Sequence, residues 1–144
     1  MKNLFLLFFT LVCTLFAKDI APISRFYSVG FVSDFVVDNN TLYISNDMGT
    51  VDIFDIKTNK MVEQLSLPAI TSSMNKLIPA PILSVDYLNK KLLIVSVAQS
   101  GYRDVWLYEN HLLKKIVSDE KKLSIKEARF LEDQKIVFAT LDSE

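Results

Sequence analysis

Beyond Gly30 the chain settles into short apolar runs broken at regular intervals by Asn, Asp, Gly and Lys. Thr50-Val51-Asp52-Ile53-Phe54-Asp55 alternates apolar and polar positions, the two-residue period of a strand with one covered face. Phe31–Val37, Thr41–Ser45 and Met61–Leu67 are runs of strand length rich in β-branched, aromatic and aliphatic residues. Between these runs lie Asp38-Asn39-Asn40, Asn46-Asp47-Met48-Gly49 and Lys57-Thr58-Asn59-Lys60. Asn and Asp favour turns because they tolerate left-handed backbone angles and bond their own main chain. The sequon Asn39-Asn40-Thr41 reads as one of these turns. Pro68 has no N–H to give a ladder and ends the fourth run. Residues 31–68 therefore predict a four-stranded antiparallel meander.

The same order recurs over 82–118. Ile82–Leu88 matches the first strand, Lys91–Val97 the second, Asp104–Tyr108 the third and Leu112–Val117 the fourth. Turns fall at Asn89-Lys90, Gln99-Ser100-Gly101 and Glu109-Asn110-His111. A third copy occupies 119–144, with Ala128–Leu131, a turn at Glu132-Asp133-Gln134 and Lys135–Thr140. Leu42, Leu92 and Ile136 then fall in register, at intervals of about 50 and about 44 residues, near the period of propeller blades. Residues 69–81, with Ser72-Ser73 and two prolines, read as a long connection. Ser124-Ile125-Lys126-Glu127 matches a helix capping box, but a loop followed by a strand is preferred because the Ile136 strand needs a partner just before it.

A four-stranded sheet cannot hide both faces alone, and radial stacking of such sheets is the propeller solution. The expected fold is all-β: propeller blades at 31–68 and 82–118 and a partial blade at 119–144, an incomplete ring. The third copy stops mid-pattern at Asp142-Ser143-Glu144, which reads as the N-terminal piece of a longer protein. A complete β-sandwich of about ten strands is the competing architecture.

Residues 1–17 read as a leader. Met1-Lys2-Asn3 gives a positive start, Leu4–Phe16 is uncharged and mostly apolar, and Ala17 precedes the charged Lys18-Asp19. The apolar run is shorter than the roughly 20 residues that a membrane helix needs. It fits the hydrophobic part of a secretory signal cleaved after Ala17, which leaves 18–30 as a lead segment and a soluble periplasmic chain. Leu15 is larger than the residue usually found two before a cleavage site. Cys13 follows Val12 rather than a small residue, so lipidation is disfavoured, and cleavage removes the chain's one cysteine.

Composition narrows the chemistry. With 16 basic and 17 acidic residues the net charge is -1, against a nucleic-acid binder. One Cys and one His exclude disulfide frameworks, Cys-based zinc sites and His-rich metal centres. His111 lies in a turn with no second His and no Gly-x-Ser-x-Gly partner, so no nucleophilic site forms around it. Asp34, Asp47, Asp52 and Asp55 resemble a carboxylate cluster, but their spacing is that of turns and outward strand positions, without an interleaved calcium loop. Trp106 is expected to pack between blades rather than to stack a quinone. The pairs Lys90-Lys91, Lys114-Lys115 and Lys121-Lys122 read as solvated charges that discourage edge pairing. No catalytic, cofactor or metal residue is expected. The residues singled out are structural: Asp47, Gly49, Phe54 and Asp55 at the blade turn.

Tyr43-Ile44-Ser45, Asp47, Gly49-Thr50-Val51 and Ile53-Phe54-Asp55 resemble the blade signature of WD40-like propellers. Phe54-Asp55 stands where a Trp-Asp pair would end the third strand, Gly49 supplies a positive-φ turn, and Asp47 is expected to bond that turn's backbone. The second copy has Trp106-Leu107-Tyr108-Glu109 at this place, and no Gly-His pair occurs. The leader, the lead Ile20–Tyr27, the blade Val32–Pro68 and the Lys-, Asn- and Ile-rich composition are also similar to the propeller-type accessory proteins of epsilonproteobacterial periplasmic nitrate reductase operons. That resemblance implies a non-catalytic scaffold whose partner is a protein, a component of that reductase or of its electron supply. The alternative is part of an exported propeller enzyme, of lactonase or quinoprotein type, with its active site in further blades.

Overall fold

The computed structural model describes residues 22–132 and 135–141. The leader 1–17 with Cys13 and its cleavage site, the first residues of the lead, the turn at 133–134 and the tail at 142–144 lie outside the described residues.

Sheet 1 is β1 (Val32–Asp38), β2 (Thr41–Asn46), β3 (Thr50–Asp55) and β4 (Lys60–Ser66), hydrogen-bonded in chain order. The connection then carries a small ribbon, β5 (Ile70–Thr71) and β6 (Leu77–Ile78), which the prolines and serines of 69–81 had not suggested. Ser72 closes that ribbon, its hydroxyl accepting from the Lys76 N–H. Sheet 2 is β7 (Ile82–Leu88), β8 (Lys91–Val97), β9 (Arg103–Glu109) and β10 (Leu112–Val117), again in chain order. One turn of 3-10 helix at Asp119–Lys121, capped by the Ser118 hydroxyl, leads to sheet 3, formed by β11 (Ile125–Glu132) and β12 (Lys135–Thr140). All strand pairs are antiparallel. The fold is all-β, a row of propeller-type blades, and not the two facing sheets of a sandwich.

The copies match residue by residue. Phe35 pairs with Ile44, Val85 with Ile94 and Ala128 with Phe138. Every inner strand bulges at the equivalent place, between Val32 and Asp34, Ile82 and Ser84, and Ile125 and Glu127, and β11 shifts again between Phe130 and Glu132. A bulge lets residues three apart point the same way. Ile125 and Ala128 are both fully buried for this reason, and Ser124–Glu127, which matches a capping box, leads into a strand as preferred. Each inner hairpin is tied at its open end by one backbone bond: Asp47 N–H to Phe31 O, Val97 N–H to Pro81 O and Leu141 N–H to Ser124 O. Leu42, Leu92 and Ile136 are the second residues of β2, β8 and β12, as the repeat predicts.

The core lies between sheets. Val51 and Ile53 of sheet 1 meet Ile82, Val85, Leu92 and Ile94 of sheet 2. Leu93, Val95 and Val105, on the opposite face of sheet 2, meet Ile125 and Ala128 of sheet 3. Leu42, Ile44 and Phe54 face the other way, where Phe26 of the lead packs edge-on to Phe54 with ring centres 5.3 Å apart. Each fully buried aliphatic side chain contributes about 1.5–3 kcal/mol, so the two joints dominate stability.

Candidate functional site at the inner strands

β1, β7 and β11 lie side by side, and their bulges bring polar residues to a common line. The Asp34 carboxylate accepts from the Val85 N–H of the next sheet at 3.0 Å. Ser84, at the same position of sheet 2, accepts through Oγ from the Ala128 N–H at 3.4 Å. Asp86 accepts from the Phe130 N–H at 2.7 Å. Arg129 reaches back from β11 across β7: its Nη2 lies 3.0 Å from Asp34 and 2.8 Å from Glu127, and its Nη1 donates to the Val85 carbonyl. One guanidinium thus ties all three sheets, using the fork geometry that suits it to carboxylates. Above this line opens a groove of about 560 Å³, edged by Ser33, Leu83, Arg103, Lys126 and Leu141. Arg103 donates to the carbonyls of Gly101 and Tyr102 and so stiffens its own loop. Both signs of charge stand here within reach of a protein surface, an arrangement suited to salt links and hydrogen bonds with a peptide.

The sequence-predicted turn residues are spread over both ends of sheet 1. Gly49 has φ +73°, and a Cβ there would meet the Ala80 carbonyl at 2.9 Å, so both backbone and space require glycine. Asp47 does not bond its own turn. Its carboxylate accepts from the Phe31 N–H at 2.8 Å and holds the start of β1. Asn46 supplies the turn bonds instead, its side-chain oxygen accepting from Met48 and Thr50 N–H at 3.0 and 3.2 Å. Phe54 is buried against Leu42 and Ile44. Asp55 accepts from the Thr58 N–H and hydroxyl and from the Asn40 amide, and these donors hold its carboxyl below the usual range.

The other candidates scatter as well. Asp52 points away from Val51 and Ile53 as alternation requires, yet it is not outward in the sense of being wet: it is fully buried. Ser28 and Val29 of the lead close over it, and it accepts from both, from Gln64 at 2.8 Å, and from Asn46 and Thr50. Burial pushes this carboxyl up, and the donors more than offset it, leaving it below its ordinary value. Trp106 occupies the Asp52 position in sheet 2 and packs at the sheet 1–sheet 2 joint. Its Nε1–H donates to Ser96, which stands where sheet 1 has Asn46. His111 sits in a tight turn at φ +62°, with Nδ1 3.3 Å from the Tyr108 hydroxyl. Two of the lysines are more than solvated charge. Lys115 lies 2.6 Å from the nearly buried Asp104 and 4.7 Å from the Trp106 ring centre, and Lys91 lies 3.9 Å from Glu109. Among the described residues no group of three or more His, Cys, Asp or Glu side chains is placed to hold a metal ion.

Sequence reasoning missed Ser84, Asp86 and Arg129. A readable signal did exist, apolar pairs three apart at Val32/Phe35, Ile82/Val85 and Ile125/Ala128, which marks a bulge in each inner strand. No protein-family model matches the chain, and no curated protein matches it. Among solved structures it is similar to the N-terminal domain of Nup159, at 20% identity and a TM-score of 0.46 over 81% of this chain. The chain spans 30% of the length of that domain.

Proposed function

We propose that the chain is a non-catalytic periplasmic propeller scaffold, exported by residues 1–17, whose loops engage a protein partner belonging to the periplasmic nitrate reductase system. The observation that carries the scaffold reading is the use of its carboxylates. Asp34 and Asp86 hold the next sheet, Asp52 the lead, Asp55 a turn and Asp104 a lysine, so the polar groups that chemistry would need are engaged in holding blades. The groove at the inner strands, with Arg103 and Lys126 at its edge, is the surface through which a partner's acidic side chain would be met. The link to nitrate reductase rests on the resemblance of the leader, lead and first blade.

The test is capture from periplasm. The tagged protein, made from its own leader in a nitrate-respiring host, is expected to retain a component of the periplasmic nitrate reductase or its electron supply. Recovery of neither removes that assignment. Charge reversal of Arg103 and Lys126 together is expected to abolish capture; undiminished capture moves the contact off the groove. Export is checked by the N-terminus of the periplasmic protein, expected at Lys18.

A further inference from the structure

The joint between sheets 1 and 2, both four-stranded, closes differently along its length. Trp106 and Tyr108, two apart on β9, both pack against it from sheet 2. At Trp106 the chain supplies a cation of its own: the Lys115 ammonium lies 4.7 Å from the ring centre and 2.6 Å from the Asp104 carboxylate. Aromatic face and carboxylate together hold that charge. At Tyr108 the same two kinds of group recur around an open cleft of about 290 Å³. Tyr43 of β2 and Tyr87 of β7 stack on one another, and the Tyr108 hydroxyl donates to Glu63 Oε1 of β4 at 2.9 Å. Ile53 and Leu92, nearly buried, form the floor.

The charges around the cleft favour a cation. Burial first, then the Tyr87 hydroxyl and the charges of Tyr87, Asp38 and Glu63, hold the Tyr43 phenol above its ordinary value. Lys90 stands at the edge, one ammonium against these two carboxylates. Tyrosine faces add the negative side of their quadrupoles. An anion is disfavoured on both counts. A bare metal ion needs several oxygen ligands, and no group of three or more His, Cys, Asp or Glu side chains gathers among the described residues. Aromatic walls and an aliphatic floor suit a cation with carbon on its nitrogen. Ligand clefts run upward from about 300 Å³, so the volume suits a head group rather than a large molecule.

We propose that this cleft binds a small alkylated ammonium ion of the choline class, its methyl groups against the tyrosine rings and its charge facing Glu63. The ion is either a free solute or a lipid head group; the chemistry of recognition is the same.

Choline chloride, titrated into the full-length protein at constant ionic strength, is the probe. Its trimethyl proton resonance is expected to move upfield, the mark of methyl groups held over ring faces. Dimethylbutanol, its uncharged carbon isostere, is expected to bind at least about fivefold more weakly. No upfield shift, or equal binding of the two, overturns the proposal. Glu63→Gln, at an exposed position, is expected to keep the circular dichroism spectrum and weaken choline about two- to fivefold. Tyr108→Phe keeps the ring and should retain choline, whereas Tyr108→Leu should lose about fivefold or more. Undiminished binding in both Glu63→Gln and Tyr108→Leu overturns the assignment of the cleft. Flotation with phosphatidylcholine vesicles but not with phosphatidylglycerol vesicles assigns the ion to a lipid; choline binding without flotation assigns it to a free solute.

Discussion

The joint between sheets 1 and 2 and the joint between sheets 2 and 3 solve one problem with different means. The first is two four-stranded sheets in contact, and its cluster of seven buried apolar residues is extended by the stacked Tyr43 and Tyr87 rings, 4.7 Å apart at 21°. Asp34 supplies its carboxylate-to-backbone bond, to the Val85 N–H. The second joins four strands to two and has five buried apolar residues. It carries Ser84 to Ala128, Asp86 to Phe130, and the bond from Arg129 to the Val85 carbonyl. The exchange is visible at one register position. Asp86 bonds Phe130 where the first joint has the apolar pair Val36 and Tyr87. Apolar burial is strong but non-directional, and it grows with area. Where the area is small, directional bonds to backbone fix the register that packing alone leaves loose.

The largest effect is expected where apolar area is greatest. Ile94 and Leu93 are neighbours on β8, each fully buried, one in each joint. Urea unfolding should show Ile94→Ala costing about 3–4 kcal/mol and Leu93→Ala about 2–3, since the smaller sheet 3 collapses more easily onto a cavity. Equal costs would remove the distinction between the joints. Asp52 lies in neither joint, and Asp52→Asn should cost about 2 kcal/mol at neutral pH through its displaced donors. Its carboxyl sits below the ordinary value in the fold, so its contribution is complete above about pH 4, the unfolded range, and fades as pH falls through the lower folded value. The gap between wild type and Asp52→Asn should therefore narrow in acid. A gap that widens on acidification contradicts the network.

Gly49→Ala tests the approach of the first blade turn to the connection. A left-handed backbone and the Ala80 carbonyl together should make it cost about 2 kcal/mol, read as a drop in thermal midpoint. The smallest effect is expected from Asp86→Ala, about 1 kcal/mol, confined to the second joint. Hydrogen exchange should show it speeding exchange at the Phe130 amide while leaving that of Val85 unchanged. Faster exchange at both would mean that the two joints open as one unit.

Much of sheets 1 and 2 was readable because their turns announce themselves. Asn39, Asn59, Asn89 and Asn110 all have positive φ, the property for which Asn was read as punctuation. The repeat was readable because the same order of strands and turns places Leu42, Leu92 and Ile136 at equivalent positions. The ribbon at 70–78 was not, since two-residue strands have no period to detect. The first turn was half legible: Gly49 follows from backbone geometry alone, whereas which of Asn46 and Asp47 bonds it depends on where β1 begins. The inner-strand line was hidden because an acceptor such as Ser84 is identified by the amide brought against it, and Ala128 is 44 residues away.

By itself the sequence determined the strands, their turns and their order, because alternation, turn chemistry and proline are local properties of the chain. Tertiary structure alone decided which polar groups became buried. Asp52 and Asp34 sit in similar β runs, yet one is sealed under Ser28 and Val29 and the other is paired with an arginine 95 residues away. The free energy of a carboxylate depends on the donors and water around it, and those are set by segments that come close only when the sheets stack.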